Sequence, residues 1–314
     1  TKARWKTACS ISTSGTAAAC RRTTAATSEV AYSTLISADQ LQALIASGAP
    51  LMVFDCSFEL MKPQAGDQQY LDSHIPGAVR ASLDLHLSAQ AGAGSASGGR
   101  HPLPTREDFA AWLGSVGFHN RMQAVVYDRQ GANYCGRLWW MLKWVGHEAV
   151  AVLDGGLQAW YAAGGVVTSG PATAHAAEPF SLNSERARLA TSAQVLSGLI
   201  SPAQTIIDAR GAPRFRGEVE PLDPVAGHIP GALNRPFGDN LGSDGKFKAA
   251  DLLKAEFGRL LAGQDPATVV HHCGSGVSAV PNLIAMELAG LGRQALYAGS
   301  WSEWCSDPSR PVAR

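Results

Sequence analysis

The chain has 314 residues, long enough for two domains of ordinary size, and its 46% hydrophobic and 17% charged residues suit full cores. Twenty-six basic residues offset 26 acidic ones, so no basic footprint points to nucleic acid, and no run of 18 apolar residues points to a membrane span. The cysteines at 9, 20, 56, 135, 273 and 305 include no Cys-x-x-Cys pair, so neither zinc nor a redox dithiol is signalled, and a reducing, cytoplasmic setting is expected.

Residues 1–31 are rich in Thr, Ala and Ser, with five basic residues and no acid before Glu29. We expect a disordered or leader-like tail over 1–32; its basic, acid-poor character keeps an organellar transit leader open, while the lack of an apolar core argues against a secretory signal. Ser37 starts a capped helix with Leu41, Leu44 and Ile45 on one face. Leu51–Asp55 reads as a strand, His74-Ile75-Pro76-Gly77-Ala78 as a turn into another, and Phe109 to Val116 as amphipathic. A strand at Ala124–Asp128, a Trp-rich helix from Leu138, a strand at Ala149–Leu153 and a helix through Trp160 follow.

The second half repeats this order. Thr205–Asp208 matches the strand ending at Asp55, and His228-Ile229-Pro230-Gly231-Ala232 matches the turn at His74. Val269-Val270 and Trp304 match Val125-Val126 and Trp160 at a constant offset of 144. A period this long means duplicated domains, and alternating strands and helices mean parallel α/β sheets. We expect one domain over 33–165, a Gly/Pro/Ala-rich linker over 166–190 and a second domain over 191–314.

The stretch with most chemical content is Val269 to Pro281. A β-branched strand runs into Cys273, then Gly274-Ser275-Gly276-Val277-Ser278, then a helix for which Ser278 is a plausible N-cap and Pro281 a tolerable first-turn residue. A free thiol with a pKa of about 8.5 is only about 3% thiolate at pH 7. A strand-to-helix loop with glycines can present several amides to an anion, which makes Cys273 a candidate nucleophile. The small neighbours suggest that the sulfur is not buried.

Cys273-Gly274-Ser275-Gly276-Val277-Ser278-Ala279 resembles the active loop of the rhodanese family, most of all its 3-mercaptopyruvate sulfurtransferase branch, with Ser278 for the branch's threonine. The resemblance extends over about residues 35 to 306, through Gly227-His228-Ile229-Pro230-Gly231-Ala232 and Trp301-Ser302-Glu303-Trp304. It implies tandem rhodanese-like domains, each a mainly parallel five-stranded sheet flanked by helices, of which the first lacks the nucleophile. Arg129 stands at the place of Cys273 there, and we read it as a surface charge. The implied activity moves a sulfane sulfur from 3-mercaptopyruvate or thiosulfate, through a Cys273 persulfide, to cyanide, a thiol or a thioredoxin-like acceptor, without metal or organic cofactor.

The resemblance maps an anion-binding arginine onto Arg214, and Gly274, Ser275, Gly276, Val277 and Ser278 are expected to line the donor site. Mercaptopyruvate enzymes carry a second arginine downstream; here Leu222 occupies that place in a shortened segment, and residues 274–278 have none of the basic residues of thiosulfate-preferring members. His74 with Asp67 matches a proton relay placed by the resemblance, but His228 holds the same place in the other copy, which favours a turn-stabilising role. His271 and His272 fit no metal-ligand spacing. Two other functions share parts of this pattern. A phosphatase of the same fold would need an arginine where Ala279 stands, and a persulfide carrier without turnover would keep the same loop.

Overall fold

The computed structural model describes residues 31–201 and 204–314; the expectations for residues 1–30 lie outside the described residues. The first copy contains β1 (Leu35–Ile36), α1 (Ala38–Ser47), β2 (Leu51–Asp55), α2 (Ala65–Asp72), β3 (Val79–Arg80), α3 (Arg106–Ser115), β4 (Gln123–Tyr127), α4 (Cys135–Trp144), β5 (Val150–Leu153) and α5 (Gly156–Ala162). The second contains β6 (Arg188–Leu189), α6 (Ser192–Gly198), β7 (Thr205–Asp208), α7 (Ala212–Phe215), β8 (Leu233–Asn234), α8 (Ala250–Leu261), β9 (Val269–His272), α9 (Val280–Leu288), β10 (Ala295–Leu296) and α10 (Ser300–Trp304). The two sheets run β1-β5-β4-β2-β3 and β6-β10-β9-β7-β8, and every ladder is parallel. Central strands such as β4 are buried along their whole length, as a parallel sheet with helices on both faces demands.

Local chemistry sets the elements. Ser37 closes a capping box with Gln40 at the start of α1, stabilising it by about 1 kcal/mol. Leu41 is buried and Leu44 packs on the core, but Ile45 turns to solvent, because the apolar stripe needed to seat so short a helix is narrow. Tyr32, expected in the tail, donates its amide to Gln123. The stretch expected as a linker is instead laid along the first copy. Thr168 pairs with His74, Glu178 donates its amide to Gly114, and Phe180 stacks on Phe118. Its end supplies β6, the edge strand of the second sheet, so the second copy begins before residue 191. Composition hid this, since apart from Phe180 the stretch is held mainly through its own backbone N–H and C=O groups.

The two copies share one apolar core. Leu138, Trp139, Trp140 and Met141 of α4 cluster with Val280, Leu283 and Ile284 of α9. Gly136 lets the helices meet, since a methyl there would sit 3.2 Å from a Val280 methyl. Lys143, almost fully buried, closes the seam with Glu287 at 2.6 Å. Trp301 and Trp304 are fully buried in the second copy's own cluster. No helix among the described residues is long and apolar enough to cross a membrane.

Candidate active site

Cys273 follows the end of β9, at the carboxyl edge of the sheet, where open α/β folds carry their sites. The cysteine is 2% exposed, against the expectation of an open sulfur. Small neighbours leave room that other elements fill. Ser300 Oγ accepts the Cys273 amide at 3.1 Å, and the Trp301 amide donates to the Cys273 carbonyl at 3.0 Å. Ser278 is not the N-cap expected; α9 starts at Val280 after Ala279, with no side-chain cap, and Pro281 lies in its first turn. Gly276 holds φ at +73°, and a methyl on it would overlap the Ala298 carbonyl oxygen.

The consequence is an unusual set of amides. From Gly274 to Ala279, six consecutive N–H groups donate to no acceptor among the described residues. Buried donors are rarely left so, and such a run around a cysteine is suited to an anion on the sulfur.

The first copy shows what the same loop does when filled. Ala132 holds φ at +64°, at the place of Gly276. The Asp128 carboxylate there accepts the amides of Gln130, Ala132, Tyr134 and Cys135 at 2.8–3.1 Å. Arg129 is not the surface charge expected. It pairs with fully buried Asp55 at 3.1 Å and also donates to Ser57, Gln69 and Ser73. Its charge neutralises a strand-end carboxylate that could not otherwise be buried. In the second copy Asp208 is likewise fully buried and paired with Arg210.

The first copy reaches across to the second. Ser275 Oγ lies 2.8 Å from His101 Nδ1, and His101 Nε2 lies 3.6 Å from Asp84. His74 and Asp67, the pair suggested by resemblance, are elsewhere. His74 is stacked on Tyr70 with Nδ1 on its carbonyl, and Asp67 pairs with Arg80. His228 repeats the stacked arrangement on Phe215, so both histidines fix the same turn. Fully buried Arg137 of α4 donates to the carbonyls of Leu87, His101 and Gly276 at 2.9–3.2 Å, joining the two copies behind the loop. Burial pulls its pKa down to about 10, an effect that the nearby Cys273 opposes. Arg214, from α7, lies beside the loop: a methyl on Gly274 would be 3.5 Å from its Nη1, while its Nη2 holds Glu220 at 2.6 Å. Val277 and Ser275 are buried, and Ser278 is half-buried.

Burial, with Arg137 and Arg100 nearby, pulls the His101 pKa down to about 3; burial does the same for His271, whose Nε2 meets the Met286 sulfur. Above pH 6.5 both imidazoles are neutral folded or unfolded and cost nothing. Below it the unfolded chain takes up protons that the folded chain refuses until about pH 3. Stability should therefore fall as pH falls, by roughly 3 to 4 kcal/mol for the pair between pH 7 and pH 5. Urea titrations at the two pH values measure it; a change below about 1 kcal/mol would mean that both rings take up protons in the folded state.

Sulfur chemistry on a duplicated α/β fold, with one glycine-rich cysteine loop per pair of domains, is the class that this architecture suggests, and the comparisons agree on the family. The family model described as Rhodanese-like domain matches residues 37–163 and 191–307. The chain is 45% identical over 280 residues to a probable 3-mercaptopyruvate sulfurtransferase of Pseudomonas aeruginosa, covering 89% of this chain and 97% of that one. It is 33% identical over 284 residues to the thiosulfate sulfurtransferase of Bos taurus, covering 88% and 93%. SseA from Escherichia coli, a 3-mercaptopyruvate sulfotransferase of known structure, superposes with a TM-score of 0.74 at 31% identity, covering 86% of this chain and all of that one. The chain belongs to the rhodanese family, and it is an enzyme, a two-domain sulfurtransferase.

Proposed function

We propose that the enzyme takes sulfur from 3-mercaptopyruvate onto Cys273 and passes it to a small nucleophilic acceptor. The observation that carries this is the Ser275 hydroxyl, held 2.8 Å from His101 Nδ1, beside the unpartnered amides. Attack of the Cys273 thiolate forms an S–S bond as the donor's C–S bond breaks. The electron pair stays on carbon, leaving the enolate of pyruvate, which must take a proton. The Ser275 hydroxyl, held in place by neutral His101, passes the proton of the donor thiol to that carbon. Thiosulfate breaks an S–S bond and leaves sulfite, a stable anion that needs no proton, so a built relay favours the keto acid. The loop amides of Gly274 to Ser278 and buried Arg137 stabilise the persulfide anion, and Arg214 faces the donor's carboxylate. Cyanide, a thiol or a reduced thioredoxin-like protein then attacks the outer sulfur and regenerates the thiolate, so ping-pong kinetics follow.

Mixing the enzyme with 3-mercaptopyruvate and no acceptor should add one sulfur atom to the intact mass, and Cys273→Ser should prevent it. Transfer to cyanide should favour 3-mercaptopyruvate over thiosulfate by about tenfold or more, roughly 1.4 kcal/mol in transition-state binding. A thiosulfate preference would overturn the donor assignment, and sulfur carried by Cys273→Ser would overturn the nucleophile.

A further inference from the structure

The donor side of the cleft contains a second guanidinium that the sequence motifs do not signal. The tip Gly98-Gly99-Arg100 of the first copy presses on the second: Gly99 has φ +87°, a methyl on it would overlap the Gly299 carbonyl, and the Arg100 amide donates to Ser302 Oγ at 3.0 Å. A methyl on Gly274 would lie 3.3 Å from Arg100 Nη2 and 3.5 Å from Arg214 Nη1. The residue next to Cys273 is thus flanked by two arginines, one from each copy.

The use of their nitrogens is selective. Asp223, whose side chain is only 4% exposed, takes Arg100 Nη1 at 2.7 Å with one oxygen and Arg214 Nη2 at 3.3 Å with the other. Glu220 takes Arg214 Nε and Nη2, and also meets Arg210, which is held by Asp208. The two nitrogens nearest Gly274, Arg100 Nη2 and Arg214 Nη1, have no partner among the described residues, and neither is sealed from solvent. A carboxylate behind and two free N–H prongs in front, both near the same point beside Gly274, make a fixed fork suited to an anion. Leu222 adds no cation to it.

We propose that Arg100 binds the carboxylate of the sulfur donor together with Arg214, so that the donor site is shared between the two copies, and that Asp223 positions the pair. This rests on the assignment of a 2-keto acid donor above. Arg100→Ala should raise KM for 3-mercaptopyruvate roughly tenfold to a hundredfold, the worth of a charge-assisted hydrogen bond, with kcat changed much less. Arg100→Lys should recover only part of the loss, since an ammonium cannot reproduce the fork. Rates are taken at pH 8, where His101 is neutral with or without Arg100.

Mercaptoacetone, which has the same thiol and carbonyl but no carboxylate, separates the outcomes. Wild type and Arg100→Ala should use it equally well. An unchanged KM for 3-mercaptopyruvate in Arg100→Ala, or an equal loss with mercaptoacetone, would overturn the proposal, the second by showing that Arg100 only shapes the fold. Arg100→Gln, which keeps the side-chain volume, must show the same pattern as Arg100→Ala if charge is the cause. Failure of the donor assignment has a different signature: the wild type itself would take no sulfur from either keto compound.

Discussion

Replacing Gly276 by alanine is expected to lower kcat/KM for sulfur transfer by about a thousandfold or more, the cost of losing organised donors around a developing anion. Positive φ alone does not explain so large an effect, because Ala132 tolerates φ +64° at the matching place of the first copy. The difference is space. An added methyl at 276 overlaps the Ala298 carbonyl oxygen, which belongs to the backbone between β10 and α10 and has little freedom to retreat. The loop must then open, and its amides separate. Gly245→Ala is a fitting control, at φ +75° with nothing within 4 Å of the added methyl; it should cost no more than about 1–2 kcal/mol of stability and leave turnover intact. Steady-state rates with urea titrations of both variants check this. Near-normal turnover by Gly276→Ala would mean that the loop amides do not stabilise the reacting sulfur.

Arg137→Met should have the largest effect on stability, a loss of about 3 kcal/mol or more in unfolding free energy. The guanidinium has no exposed surface and serves three carbonyls, those of Leu87, His101 and Gly276. Methionine fills much of the volume but leaves all three acceptors buried without a donor, at about 1–3 kcal/mol each before relaxation. The same change releases His101 from Gly276, so activity should fall together with the urea midpoint. A loss under about 1 kcal/mol would show that water reaches these carbonyls.

The architecture was legible because period and repetition are strong signals. Apolar runs such as Val125-Val126 and Val269-Val270, repeated at a fixed offset, place both sheets. Cys273 and its loop were equally plain, since a strand, a thiol and glycines are contiguous in the chain. His101 was not, because it joins Ser275 only through the packing of two domains. One signal could have found it. The interval from His74 to Val125 is ten residues longer than that from His228 to Val269. His101 and Arg100 lie in this longer interval, in a Gly-rich segment without periodicity. A histidine matched in both copies, such as His74 and His228, serves the shared fold; one present in a single copy is the better candidate for chemistry. Arg129 misled for the complementary reason: its partner Asp55 is 74 residues away, and sequence shows the charge but not what it neutralises.

The filled loop of the first copy has a further meaning. Asp128 provides, permanently and by covalent attachment, a negative charge for amides whose counterparts at Gly274, Gly276, Ser278 and Ala279 have no acceptor among the described residues. One chain thus displays an occupied cradle and a receptive one, built on the same repeated loop. The bound carboxylate shows what kind of group such a loop is shaped to hold, a compact anion gripped by backbone amides.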